Sequence, residues 1–143
     1  MLVKQLSVFL ENKLGRLAEV TKILGEKDID ISALSIADTT DFGILRLIVN
    51  KPEEAEQILR ENGIAVSCTN VIAIAVADKP GALAKVLQIL DNVSIGIEYL
   101  YAFVGKNKDE ALVIIKVEVP EKAVETLEKS GIRVLSSNEV YKL

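Results

Sequence analysis

Apolar and polar positions along this chain change period in a regular order, and the order occurs twice. Leu6, Val8 and Leu10 alternate with Gln5, Ser7 and Phe9, and Ile72, Ile74 and Val76 alternate with Ala73, Ala75 and Ala77, which predicts two half-buried strands. A helix follows each, clearest where Leu83, Val86, Leu87 and Leu90 fall at helical spacing and lay an apolar stripe over a sheet. Second strands are predicted at about 30–37 and 95–104, and third strands at 44–49 and 112–119. Pro52-Glu53-Glu54 and Pro120-Glu121-Lys122 then open second helices, with proline in the first turn and acidic residues at the positive end of the dipole. Asn62-Gly63 and Ser130-Gly131 supply the left-handed residue that closes them, before short fourth strands at 64–67 and 132–135.

The periodicity reflects an internal duplication. Residues 12–18 (Asn-Lys-Leu-Gly-Arg-Leu-Ala) return as residues 78–84 (Asp-Lys-Pro-Gly-Ala-Leu-Ala) at a spacing of 66, and the register holds through Val20/Val86, Leu24/Leu90, Ile29/Ile95 and Leu34/Leu100. From Pro52/Pro120 onward the spacing is 68, so two residues are absorbed in a loop placed at 105–109. Two copies of one βαββαβ module account for the chain, with domains expected at 1–68 and 69–143. The expected class is α+β: two ferredoxin-like units side by side in a continuous eight-stranded antiparallel sheet, helices on one face. The second strand of such a unit lies at a sheet edge, so pairing of 31–36 with 97–101 would join the copies.

Composition removes several function classes. Seventeen basic against 21 acidic residues give a net charge of −4, with no electrostatic footprint for nucleic acid and no polybasic strip for a membrane. Histidine is absent and cysteine occurs once, at Cys68, which removes the commonest general base, the commonest zinc ligand and any internal disulfide. The expectation is a cytoplasmic protein that is not an enzyme and carries no cofactor or metal. Three Phe, three Tyr and no Trp also argue against an RNA-binding module of this topology, which needs exposed aromatics on its central strands.

The chemistry sits in the first strand-to-helix turn. A helix start offers unpaired N–H groups and partial positive charge to a carboxylate, and glycine at 15 or 81 leaves room for its approach. Asn12 could accept from an ammonium and donate to a carboxylate, whereas an ionised Asp78 can only accept. Both also stand where a side-chain N-cap would, and both glycines where close packing would favour them. Lys13, Lys79 and Arg16 are read chiefly as solvated.

This turn, Asp78-Lys79-Pro80-Gly81-Ala82-Leu83 with Val86 and Leu90 behind it, resembles the signature of the ACT domain, and the resemblance covers almost all of residues 3–137. The first copy departs from the pattern at Asn12, for aspartate, and Leu14, for proline. The resemblance implies a tandem pair that binds a free amino acid at the boundary of two ACT domains and regulates amino-acid metabolism. The candidate ligand-binding residues are Asn12, Lys13, Leu14, Gly15, Arg16 and Leu17 in one turn and Asp78, Pro80, Gly81, Ala82 and Leu83 in the other; pairing of the edge strands would set each turn against the other copy's edge strand, so that Ser32, Ala33, Leu34 and Ser35 border one pocket and Glu98, Tyr99, Leu100 and Tyr101 the other. A ligand-free subunit docking on a biosynthetic enzyme is the alternative. The sheet face carrying Phe9, Ile44, Ile48, Ala73, Ala75, Leu112 and Ile114 reads as too apolar to be left wet, which predicts a homodimer or higher oligomer through it, or docking on an enzyme.

Overall fold

The computed structural model describes residues 2–11, 14–38, 41–104 and 109–143. Their elements run β1 (Val3–Glu11), α1 (Arg16–Glu26), β2 (Ile31–Asp38), β3 (Phe42–Val49), α2 (Pro52–Glu61), β4 (Ala65–Ala77), α3 (Ala82–Asn92), β5 (Ile97–Ala102), β6 (Glu110–Val117), α4 (Pro120–Lys129), β7 (Arg133–Val134) and α5 (Ser137–Tyr141). Two compact units result. The amino-terminal unit comprises Lys4–Thr69 with Tyr141–Leu143, and the carboxy-terminal unit Asn70–Val140 with Met1–Val3. Among the described residues no helix is long and apolar enough to cross a membrane.

In the amino-terminal unit the strand order is β2-β3-β1-β4, with β1 antiparallel to β3 through Leu6↔Leu47 and Val8↔Leu45. Those residues, with Leu10 and Val49, turn toward Val20 and Leu24 of α1 and Ala55, Ile58 and Leu59 of α2, forming one core. The carboxy-terminal unit repeats the plan as β5-β6-β4-β7, with Ile72, Ile74, Ile115 and Val117 packed with Val86, Leu90, Ala123 and Leu127. Each unit is thus the split βαββαβ arrangement that alternation and helical spacing predict.

The helix ends follow the same local chemistry in both copies. Gly63 and Gly131 take φ of +75° and +80° after α2 and α4, and the next amide, Ile64 or Ile132, donates back to the carbonyl of Leu59 or Leu127 at 3.0 Å. After α1 and α3 the left-handed position is held by Asp28 (φ 59°) and Ser94 (φ 58°), residues at one spacing of the repeat that bear a strain glycine would not.

Three expectations need correction. Among the described residues strands number seven rather than eight, because the predicted fourth strand of the first copy and first strand of the second are one strand, β4. Cys68-Thr69-Asn70 is polar, yet Thr and Asn continue a backbone ladder as long as their N–H and C=O groups stay paired. Secondly, the recorded partner of β2 is β3 and that of β5 is β6, so the predicted pairing of 31–36 with 97–101 is not among the described pairings. Thirdly, the apolar face opposite the helices is mostly covered within the single chain, where a second copy or an enzyme was expected to cover it. Ile48, Ala73 and Ile114 are fully buried, and Ala75 and Leu112 nearly so, within the single chain, while Phe9 stays exposed. In the carboxy-terminal unit Leu135, itself buried, donates its N–H to the carbonyl of Ala73 at 2.8 Å and leads into α5, an element the sequence reading lacked. Residues 105–108 of the predicted length-absorbing loop lie outside the described residues.

Candidate functional site

Both strand-to-helix turns reach their helix through a glycine in left-handed backbone. Gly15 (φ 90°) is the N-cap of α1 and Gly81 (φ 87°) that of α3, and neither helix has a side-chain cap. Asp78 is therefore not the cap its position suggested; its N–H donates to the Asp109 carbonyl at 2.8 Å and its side chain stays in solvent. Asn12 and Lys13 lie outside the described residues. Packing does not explain the glycines, since a Cβ on Gly15 or Gly81 would meet nothing within 4 Å. Only the backbone conformation demands them. What results is a helix start with no side-chain cap among the described residues and open space beside its glycine, although in α3 the Ala82 N–H already donates to the Lys79 carbonyl at 3.3 Å.

The remaining predicted residues divide. Leu14 is fully exposed, and Arg16 is held by Glu19 at 2.9 Å on the first turn of α1. Pro80, Gly81 and Ala82 line one cleft together, whereas Leu83 is half-buried along α3. Along β2 and β5, consecutive side chains point to opposite faces, so four in a row cannot border one pocket. Leu34 and Leu100 pair with Leu47 and Ile115 on the helix-bearing face and stay more than a third exposed. Ala33 and Tyr101 are buried, and the rings of Tyr99 and Tyr101 stack with centroids 6.5 Å apart. Glu98 pairs with Lys116 at 3.1 Å. At the matching position Ser32, half-buried at the irregularity of β2, has a buried Oγ with no hydrogen-bond partner among the described residues.

Two clefts stand at equivalent places in the copies, and sequence reasoning missed most of their walls. The first, of about 260 Å³, lies among the end of β1, the first turn of α1, the start of β3 and the Asn62-Gly63 turn, and includes Phe9, Glu11, Arg16, Glu19 and Phe42. The second, of about 480 Å³, includes Lys79, Gly81, Lys85, Glu110, Gly131 and Arg133. Their common frame is the pair of glycine turns, which were legible. Their chemistry has diverged: Phe9, Glu11, Arg16 and Glu19 are matched at a spacing of 66 by Ala75, Ala77, Ala82 and Lys85, and Phe42 at 68 by Glu110. In the second cleft Arg133 is already engaged by Glu110 at 3.1 Å and Glu139 at 2.7 Å.

Among the described residues no cluster of three or more His, Cys, Asp or Glu could hold a metal ion. Cys68 reaches solvent, but partial burial and then the Glu56 carboxylate push its thiol up to about 11, so it is protonated at neutral pH and a poor nucleophile.

The family description "ACT domain pair" matches residues 1–143. The chain belongs to the ACT domain family. Among solved structures, this ACT pair is similar to protein BT0572 from Bacteroides thetaiotaomicron, with 45% identity over 100% of this chain and 98% of that one and a TM-score of 0.94. It shares its fold with the regulatory subunit of aspartate kinase from Thermus thermophilus in ligand-free form, at 18% identity, TM-score 0.64, covering 89% of this chain and 91% of that one. Aspartate kinase from Synechocystis is a further fold relative, at 17% identity and TM-score 0.60, covering 95% of this chain but 28% of that one. No curated protein matches.

Proposed function

We propose that this ACT pair is a cytoplasmic regulatory protein that binds a free amino acid at its glycine turns and acts on amino-acid metabolism through a separate enzyme. The observation that carries the reading is the repeated, uncapped start of α1 and α3 at a left-handed glycine with open space before it. An α-carboxylate satisfies first-turn amides that no described side chain caps, and it sits at the favourable end of the dipole. Oxygen atoms at the turn then hold the ammonium, with Asn12 in the first copy and Asp78 in the second as acceptors.

A second copy of the chain completes the assembly along β2. This edge strand is eight residues long, contains neither lysine nor proline, and leaves Leu34 and Ile36 39% and 44% exposed. Such an edge invites another strand, and antiparallel pairing of β2 with its copy would carry one sheet across both chains. Light scattering of the eluted protein should give a dimer that Leu34→Lys splits without unfolding; a monomer at micromolar concentration would remove this part of the reading.

The binding claim is tested by a thermal-shift screen against the twenty amino acids, with calorimetry on any hit. Ligand at 100 times its dissociation constant adds about 2.7 kcal/mol, or several degrees of Tm for a chain of this size. One selective hit is expected. Twenty flat curves would instead favour a ligand-free subunit that docks on an enzyme.

A further inference from the structure

While Val86 and Leu90 of α3 enter the core, another stripe of the helix faces away from it. Ala84, Leu87, Gln88 and Asp91 follow at i, i+3, i+4 and i+7, and with Ile95, Gly96 and Ile97 they line an open groove of about 490 Å³ in the carboxy-terminal unit. Gly96 is not required by the fold itself, since its backbone is not left-handed and a Cβ there would meet nothing within 4 Å. A glycine without an internal reason leaves room for close approach from outside. The duplication supplies a contrast. At a spacing of 66, Leu87, Gln88 and Gly96 correspond to Thr21, Lys22 and Asp30. Thr21 donates to the carbonyls of Leu17 and Ala18 on its own helix, and Lys22 lies 3.9 Å from Glu26. The first copy thus presents a polar stripe where the second presents an apolar one with an acidic end.

Charge says what fits the groove. Asp91 lies in the last turn of α3, at the negative end of the dipole, and no basic residue in that turn offsets it. The first turn holds no acidic residue and has no side-chain cap. Turned end for end, the stripe therefore complements itself: its acidic end meets the positive half of the same helix, and Leu87 meets the space over Ala84 and Gly96. We propose that the groove docks α3 of a second copy of this chain, the two helices antiparallel about a two-fold axis near Leu87 and Gln88. A parallel pair would set Asp91 against Asp91 and align the two dipoles, which disfavours it. A stripe of two turns buries much less than the roughly 1,200 Å² of a stable interface, so the contact is weak and joins β2-paired dimers only at high concentration. It lies on α3 rather than β2, and it does not depend on amino-acid binding at the glycine turns.

The test uses the full chain with Cys68→Ser, so that an introduced cysteine is the only thiol. Gln88→Cys, treated with copper phenanthroline in air, should give a disulfide-linked dimer, and Lys22→Cys, the matching position of α1, should not. Sedimentation equilibrium measures the contact without a cross-link. With β2 pairing removed by Leu34→Lys, the chain should be a monomer at about 10 µM and move toward dimer mass at about 1 mM, and adding Leu87→Glu should weaken that association at least about tenfold. Gln88 and Lys22 are exposed and Leu87 is half-buried, so the variants keep their core, which circular dichroism would verify. No cross-link at Gln88→Cys, an equal yield at Lys22→Cys, or association unchanged by Leu87→Glu would overturn the proposal. A wild type monomeric at 10 µM that cross-links through Gln88→Cys would sink the β2 pairing alone. A dimer split by Leu34→Lys, with Gln88→Cys silent, would sink this contact alone.

Discussion

Replacing Gly15 or Gly81 separates the two demands that the turn makes on its glycine. Each sits at φ near +90°, and a Cβ there meets nothing within 4 Å, so Gly→Ala adds backbone strain without a collision. Left-handed backbone costs an L-residue about 1–2 kcal/mol, and the stiffer unfolded chain returns about 0.4–1 kcal/mol. The net is about 1 kcal/mol for either alanine variant, or roughly 3 °C of Tm at this length. Asparagine tolerates left-handed backbone better, so Gly15→Asn should cost less than Gly15→Ala. It should nevertheless lose ligand, because a side-chain oxygen at the N-cap takes the first-turn amides that a carboxylate would use. Urea denaturation of the three variants, paired with calorimetry against the amino acid found by screening, measures both effects. A loss of 3 kcal/mol or more for alanine, or full ligand affinity in Gly15→Asn, would refute the reasoning.

Ser94 holds the left-handed position after α3, so Ser94→Gly should raise Tm by about 1–3 °C, and an unchanged or lower Tm would contradict the strain assigned there. Cys68, with its thiol pushed up to about 11, should react with iodoacetamide at pH 7.5 about a hundredfold more slowly than an unperturbed thiol; a rate matching free cysteine would count against the burial. Glu139 is held below the ordinary carboxylate value of 4.5, first by the backbone N–H of Ser136 and then by Arg133 and the Ser136 side chain. A lowered folded-state pKa stabilises above the unfolded value, so the contribution of Glu139 is present above pH 4.5 and lost as acid is added below it. Amide shifts around α5, followed by NMR from pH 6 to pH 3, should show that transition in the wild type and not in Glu139→Gln.

Period and punctuation made most of the fold legible. Proline opening α2 and α4, glycine closing them, and the spacing of Leu83, Val86, Leu87 and Leu90 are local signals that tertiary context did not override. The domain boundary expected after residue 68 falls inside β4, because a strand needs only paired backbone groups and runs on through polar residues. The opposite sheet face misled for another reason: alternation says which side chains share a face but not what covers it, and Ile48 and Ile114 are buried within the one chain. Ser136 and Glu139, which bond reciprocally at 3.2 and 3.1 Å, carried a capping-box signal for α5 that went unread. At the site, the glycine turns were visible as a repeat, but Phe9, Glu11 and Phe42 in one cleft, and Lys85 and Arg133 in the other, are brought to their places only through strand register and the placement of helix starts.

The most direct measurement of the central claim is a ¹H–¹⁵N correlation spectrum of the wild-type protein recorded while the screened amino acid is added. Amide shifts at Arg16, Leu17 and Ala18, at Ala82, Leu83 and Ala84, or at both turns are predicted, saturating together and vanishing in the matching Gly→Asn variants. Saturating shifts confined to other surfaces, with both helix starts unmoved, would contradict an amino-acid site at the glycine turns.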